Sequence, residues 1–408
     1  MTGPDNTHPR TAVAGGIAFP RIRFSVIVAA HCLGAMNLLA ILASSPLIRD
    51  DLGLSAVEIG LLASAYSAAL AVFSLPAGRV SDRIGVRAAL ILAVAILSSG
   101  ALAVAWSQSF GAALLGLGLC GAGYSLVNPA AGRAVQMWYP AQWQGTLLGL
   151  KQTGVPLGGA IGTGAAAFGP MLGWNTVITI MGVVTLMAGL AFLTLPANNR
   201  APDRAPAQSG LRGEFGSIVA LLSNARLGRI NTASGLTNGG QFILWTYLTE
   251  FLRQGAQMGV PVANACLTLL QLSSIAGRIF WGWIGDRWLN GNHRRALITL
   301  TLISAAALAA MILVSPFNAL LLAPMLAILL GFTVCAATGV QVALSMQSAP
   351  AWQSGGAIGY NMLVTNIGGV LAPPAFGLIV DHAPGYGVAW AVAAFGLLTA
   401  AALLAKDL

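Results

Sequence analysis

Arg278 and Lys151 stand inside long apolar stretches, where a charge is out of place. An ionisable side chain within a hydrocarbon layer costs roughly 2.5 kcal/mol or more, so its retention points to function. A guanidinium offers a planar fork that grips a carboxylate through two parallel hydrogen bonds, and an ammonium adds a compact point charge. None of the 11 acidic residues is placed to neutralise either cation, because each falls in a loop or close to a helix end. An uncompensated buried cation is expensive, and a visiting anion would supply the missing charge. The chemistry expected of Arg278 and Lys151 is therefore the binding of a small organic anion, in the simplest case a carboxylate.

Other polar residues share faces with one another. Asn238, Gln241 and Trp245 recur at i, i+3 and i+7, and Asn361 and Thr365 at i and i+4, so each set lines one side of a helix. Asn37 interrupts the first apolar stretch, and His31 in the same stretch is the candidate for proton coupling, since imidazole exchanges a proton near neutrality. All of these are substrate-site candidates, although each amide serves equally well as an interhelical hydrogen bond. The two cations could likewise be satisfied by backbone carbonyls and hydroxyls such as Ser273 and Ser274. No metal-ligand cluster, nucleophile–base pair or phosphate loop occurs in the sequence, so neither a cofactor nor an enzymatic activity is expected.

The elements that must carry these residues follow from composition. At 57% hydrophobic and 8% charged, with a mean hydropathy of +0.79, the chain is too apolar for a soluble core, since soluble domains carry roughly 25% charged residues. Secreted, cytosolic, disordered and nucleic-acid-binding readings fall away together. Apolar runs of spanning length lie at 24–48, 55–77, 88–106, 110–137, 145–168, 174–196, 228–252, 261–285, 295–315, 317–346, 355–380 and 386–405. This predicts an all-α membrane protein of twelve transmembrane helices in two six-helix pseudo-symmetric bundles, residues 1–196 and 228–408, joined by a polar linker over 197–227. Within the linker, residues 214–227 alternate at helical spacing and fit a helix lying on the membrane surface.

Charge sets the orientation, because Lys and Arg are retained on the cytoplasmic side. Of the 20 Lys and Arg residues, fifteen fall at ends shared with the N-terminus, and only Arg49 and Arg253 fall at the other side. Both termini are thus expected in the cytoplasm, with the chain in the inner membrane as a multi-pass monomer. Three cations, Arg133, Lys151 and Arg278, lie inside predicted helices. Arg278 precedes Asp286 by eight residues, about 12 Å along a helix, and Lys151 stands about 9 Å into its own. Arg133 lies one turn from the end of its helix and can snorkel to the interface. The 4 cysteines, Cys32, Cys120, Cys266 and Cys335, each lie alone in an apolar run and are expected to pack.

Self-comparison reveals a duplication of the kind that transporters use. Gly78-Arg79-Val80-Ser81-Asp82-Arg83 after the second run matches Gly282-Trp283-Ile284-Gly285-Asp286-Arg287 after the eighth, and Pro140 to Lys151 aligns without a gap on Pro350 to Asn361. The full loop pattern is Gly78, Asp82, Arg83, Gly85 and Arg87. Its glycines permit close helix approach, its acid can accept from amides at a neighbouring helix N-terminus, and its arginines anchor in an anionic leaflet. Together with Asp286, Arg287 and Arg133, these residues form a candidate conformational latch.

The pattern Gly-x-x-x-Asp-Arg-x-Gly-x-Arg, with its shorter second copy, resembles the loop signature of the major facilitator superfamily of secondary transporters. Gly154-Val155-Pro156-Leu157-Gly158-Gly159 is similar to that family's Gly/Pro-rich fifth helix. The resemblance implies alternating access between two bundles, with the latch holding the outward-facing state. The stretch Gly277 to Arg287 looks like the eighth helix of monocarboxylate and oxalate/formate-type members, in which an arginine at this point is implicated in carboxylate binding. The function this resemblance implies is organic-anion transport, with a proton as candidate partner in symport. Proton-driven efflux of hydrophobic or drug-like compounds is the alternative.

Overall fold

A computed structural model describes residues 20–196, 223–350 and 354–406. The surface helix expected over 214–227 falls mostly outside them. Spans 1 to 6 are Pro20–Ala43, Ala56–Ile84, Val86–Ala105, Phe110–Trp138, the pair Ala141–Lys151 and Gly154–Ala166, and Trp174–Gly189. Spans 7 to 12 are Ala225–Gln254, Val260–Trp283, His293–Ala310, the pair Ala319–Phe332 and Thr338–Gln347, Ser354–His382 and Gly387–Ala405. A short helix, Ser45–Leu52, continues span 1 beyond a break at Ser44, where Pro46 in its first turn cannot extend the preceding hydrogen-bond ladder.

Ten of these helices are long and apolar enough to cross a membrane. The remaining two crossings depart for separate physical reasons. Span 5 is interrupted at Gln152 and Thr153, so neither piece spans alone. Span 7 is polar because protein surrounds it: Asn231, Ser234, Thr237, Gln241, Thr246, Thr249 and Glu250 are all buried, on a helix packed against spans 8, 11 and 12. Polar side chains are tolerated at membrane depth when they face the bundle interior.

Glycine sets the helix spacing at two places. Gly85 alone joins span 2 to span 3 and adopts φ +85°, a backbone region closed to most side chains. On span 5, Gly154, Gly158 and Gly162 lie against the carbonyls of Val28, Cys32 and Met36 of span 1, the close approach that small residues allow within a bilayer.

The two bundles meet along spans 2 and 11 and along spans 5 and 8. Span 2 touches span 11 from Gly60, against Pro373, to Ser64, whose hydroxyl donates to Val370 O, and to Ser67, beside Gly369. Beyond this stretch the helices splay, leaving Val72 and Leu75 on one and Met362 and Leu363 on the other exposed. The seam is therefore closed on the side away from the chain termini and opens toward the terminal side.

Gly158→Leu should drive a side chain into the Cys32 carbonyl and abolish monodisperse protein on size-exclusion chromatography, overpacking of this kind costing about 3 kcal/mol or more. Gly149→Ala, at a position with open space around it, should leave the elution profile unchanged.

Candidate functional site

The interruption of span 5 creates the first feature of the site. Pro156 has no N–H to donate to the carbonyl four residues earlier, so Gln152 O accepts instead from Val155 N at 3.2 Å in a tighter turn and keeps a lone pair free. Arg278 Nη1 of span 8 takes up that carbonyl at 3.4 Å, and its Nη2 lies 3.3 Å from Cys335 O. Cys335 sits in the second interruption, a tight 3-10 turn between the two pieces of span 10. Thus the guanidinium is held by two carbonyls exposed at two helix breaks, through contacts at the long end of the hydrogen-bond range. Its Nε has no partner among the described residues. Among the described residues no carboxylate forms an ion pair with Arg278 or Lys151.

Lys151 ends the first piece of span 5, one residue from the carbonyl that Arg278 holds. It is 5% exposed. Its Nζ lies 3.1 Å from Asn128 Oδ1 of span 4 and 3.3 Å from His31 Nε2 of span 1. The His31 Nδ1 lies 3.1 Å from Ile27 O. A carbonyl only accepts, so Nδ1 donates, while Nε2 lies between the ammonium and Asn128 Oδ1, 3.2 Å from the latter. Tyr124 places its ring edge-on to His31, at 6.2 Å between centroids, and packs against Tyr66 at 6.1 Å. Lys151, His31 and Arg278 thus gather around the break in span 5, with Asn128 and Tyr124 completing the N-terminal wall.

The remaining candidates separate into four groups. Asn361 Nδ2 donates to Asn231 Oδ1 at 3.0 Å, which also accepts from Ser345 Oγ at 2.9 Å. This polar triad ties spans 11, 7 and 10 as Lys151, His31 and Asn128 tie spans 5, 1 and 4, so the aligned positions of Lys151 and Asn361 have the same architectural place. Asn238 donates to Thr365 O at 2.7 Å, tying span 7 to span 11, and Thr365 Oγ1 donates to Asn361 O at 2.9 Å within span 11. Asn37 binds Leu33 O and Thr185 Oγ1 of span 6, away from the cations. Trp245 Nε1 donates to Gln271 Oε1 at 3.1 Å, and Gln241 has no hydrogen-bond partner among the described residues. Gln271 does not stand out in the sequence, although it shares the face of Arg278 at i−7; Asn128, beside Pro129, carries no periodic signal.

The residues of the candidate latch lie on the open side. Asp82 Oδ1 accepts from Arg133 Nη1 at 2.9 Å, and the same nitrogen reaches Ser81 O at 3.1 Å. Asp286 Oδ1 lies 3.2 Å from His293 Nε2. Both contacts stay within one bundle. Arg83 and Arg287 are exposed and Arg87 is half-buried. Gly78 leaves open space around it.

On the closed side an unforeseen clasp joins the bundles. Arg49 Nη1 lies 2.9 Å from Glu250 Oε1, and Arg253 Nη2 lies 2.9 Å from Asp50 Oδ1. Asp381, at the end of span 11, accepts from the backbone amides of Ala56 and Val57 at 3.0 and 2.9 Å, so a carboxylate from one bundle caps the N-terminus of span 2 in the other. Tyr247 hydroxyl donates to Ala56 O at 2.7 Å. The hydrogen bond from Arg253 holds the Asp50 carboxyl below the usual carboxylate range. A lowered folded-state value means that the contribution of this pair is full at neutral pH and fades only as pH falls into the acid range below the ordinary carboxylate value.

Two helical bundles, a central seam and a polar site at paired helix breaks define a multi-pass membrane transporter rather than an enzyme. The sequence profile of the Major Facilitator Superfamily matches residues 26–327 and 230–407, and the chain belongs to that family of transporters. It is 31% identical over 183 residues to the hexuronate transporter of Bacillus subtilis, a match covering 43% of this chain and 42% of that protein. With the fosmidomycin resistance protein of Escherichia coli it shares 22% identity over 405 residues, 94% of this chain and 93% of the other. The solved structure of a bacterial homolog to the human lysosomal transporter Spinster superposes with a TM-score of 0.81 at 17% identity, covering 96% of this chain and 97% of that one.

Asp381→Asn should loosen the clasp and shift the balance toward opening of the closed side by roughly tenfold, as expected for loss of a charged helix cap. Spin labels at Gln108 and Phe317, in a background without the four native cysteines, should then report a longer distance population by double electron–electron resonance. An unchanged distribution would remove Asp381 from the clasp.

Proposed function

We propose that this chain carries out secondary active transport of a small organic anion, a carboxylate, across the cytoplasmic membrane by alternating access. The observation that carries the reading is the pair of membrane-depth cations, Arg278 and Lys151, which converge on the break in span 5 with no acid beside them among the described residues. A carboxylate seated between them would displace the two long carbonyl contacts of Arg278 with short, charge-assisted hydrogen bonds and take the ammonium from Asn128 and His31. The hexuronate transporter similar to this chain supports a carboxylate cargo. In this reading both termini are cytoplasmic, the linker over 197–227 connects the bundles on that side, and the present form opens inward.

Alternating access then requires that the clasp at Asp50, Arg49, Glu250, Arg253 and Asp381 open as the latch at Asp82 closes. Asp82 and Asp381 hold equivalent posts at the ends of spans 2 and 11. His31 is the proton-coupling residue of the proposal, because its Nε2 touches the ammonium that an anion would draw away. Export of a drug-like compound is the second reading, favoured by the near full-length match to the fosmidomycin resistance protein. It predicts no dependence on the charge of Lys151.

Arg278→Ala should abolish saturable uptake of a sugar acid into proteoliposomes, the loss being at least about 100-fold in kcat/KM for a charged hydrogen-bonding partner. Retained uptake with an unchanged KM would remove Arg278 from the site. Lys151→Gln should raise KM by about tenfold or more and Lys151→Arg less, whereas equal behaviour would exclude a charge role. His31→Gln should abolish uphill uptake driven by a pH gradient while leaving exchange of internal for external anion intact; loss of both together would make His31 structural.

A further inference from the structure

Span 8 carries a row of donors that the protein leaves open. Asn264, Gln271 and Arg278 recur at intervals of seven residues, so they share one face of the helix and stand about 10 Å apart along its axis. Asn264 is 0% exposed and Gln271 1%. Asn264 Nδ2, Gln271 Nε2 and Arg278 Nε each have no hydrogen-bond partner among the described residues. Buried amides are almost always paired, and leaving a desolvated N–H without a bond lowers stability. All three open atoms are nitrogens that only donate. The row is therefore matched to oxygens and offers nothing to a cation.

Span 7 fixes the direction of the amides. Trp245 Nε1 donates to Gln271 Oε1 at 3.1 Å, and Thr249 Oγ1, one turn further along span 7, donates to Asn264 Oδ1 at 2.9 Å. An indole N–H cannot accept, so the Gln271 oxygen must face span 7, and the amide cannot flip without losing that bond. Its nitrogen is thereby turned to span 5, where it lies against Gly159 in the space that a side chain would fill. Nearer the closed side, the Thr268 and Thr163 hydroxyls share a hydrogen bond of 2.8 Å across the same two helices. Gln271 thus stands between the cations and the shut end of the seam, covered by a residue that has no side chain.

We propose that Gln271, oriented by Trp245, is an outer oxyanion subsite, at which a carboxylate arriving from the closed side rests about 10 Å short of Arg278, with Asn264 as the donor before it. Parting of spans 5 and 8 would uncover the nitrogen that Gly159 now covers. The subsite rests on the organic-anion reading above and adds to it a station on the path that carries no charge of its own. A single amide grips a carboxylate less firmly than a bidentate guanidinium, so the cargo would pass inward to the cations rather than stay. Gln271 is a binding residue in this account, and Trp245 a positioning residue that acts through it.

Exchange of radiolabelled galacturonate, measured in right-side-out and in inverted membrane vesicles loaded with saturating galacturonate, reads the two faces of the full-length protein separately. Gln271→Glu keeps an oxygen for Trp245 but puts a negative charge where the NH2 stood. It should raise the half-saturating concentration at the closed-side face, the extracytoplasmic one in the reading above, by about tenfold or more and leave the other face within about twofold. Gln271→Met, which removes the N–H without adding charge, should shift the same face in the same direction by less. Trp245→Phe, which frees the carboxamide to turn, should also raise the value at that face alone. Unchanged values at the closed-side face, or equal rises at both faces in the Gln271 variants, overturn the subsite and leave the organic-anion reading standing. An unmodified protein that exchanges galacturonate at neither face overturns that reading and the subsite with it. Should Gln271→Glu fail to fold, judged by size-exclusion chromatography, Gln271→Met decides by the same comparison of faces.

Discussion

A buried positive charge with no resident acid among the described residues governs this molecule. Arg278 lies at membrane depth, and two carbonyls at 3.4 and 3.3 Å are its protein partners. Both exist because their helices are broken, one by Pro156 and the other by the 3-10 turn at Cys335. In a bilayer backbone polar groups are satisfied internally; Gln152 O accepts from Val155 N at 3.2 Å within the break and offers its remaining lone pair to the arginine. The arrangement places a guanidinium, an ammonium and two helix interruptions at the seam between two bundles.

The two ends of that seam are built on one idea. A carboxylate at the end of one bundle's helix seeks the amides at the start of a helix in the other. On the closed side Asp381 makes that contact with Ala56 and Val57. On the open side Asp82 turns back to Arg133 of its own bundle. Exposed ion pairs contribute little on their own, but several acting together with a helix cap can hold a gate whose alternative state is close in energy. Such bistability is what a carrier needs.

Much of this is legible in the residues. Apolar run lengths mark the crossings, and the duplication between Gly78–Arg83 and Gly282–Arg287 marks the two bundles. Arg278 and Lys151 announce themselves because charge in an apolar run is costly wherever it faces. Contacts between distant elements are less accessible. Asn128 is one amide on span 4 with no repeating neighbour, and only the fold brings it to Lys151. Asp381 looks like an ordinary loop acid until span 2 begins beside it. Asn37 and Asn238 carry the same signal as ligand-lining residues would, since an amide that ties two helices and an amide that meets a ligand are alike in sequence. Helix breaks fall between these extremes: Pro156 signals the one in span 5, whereas the one in span 10 lies at Thr333 to Ala337, with no proline to mark it.

Direct contact between a carboxylate and these two cations is the claim on which everything else turns. Infrared difference spectroscopy with galacturonate labelled with carbon-13 at its carboxyl measures that contact, because the carboxylate stretching bands move when the group exchanges water for a guanidinium and an ammonium. Shifted bands are expected for the ligand bound to the unmodified protein, and bands close to those in water for Arg278→Lys and Lys151→Gln variants loaded to the same occupancy. Identical shifted bands in the unmodified protein and both variants would contradict the claim.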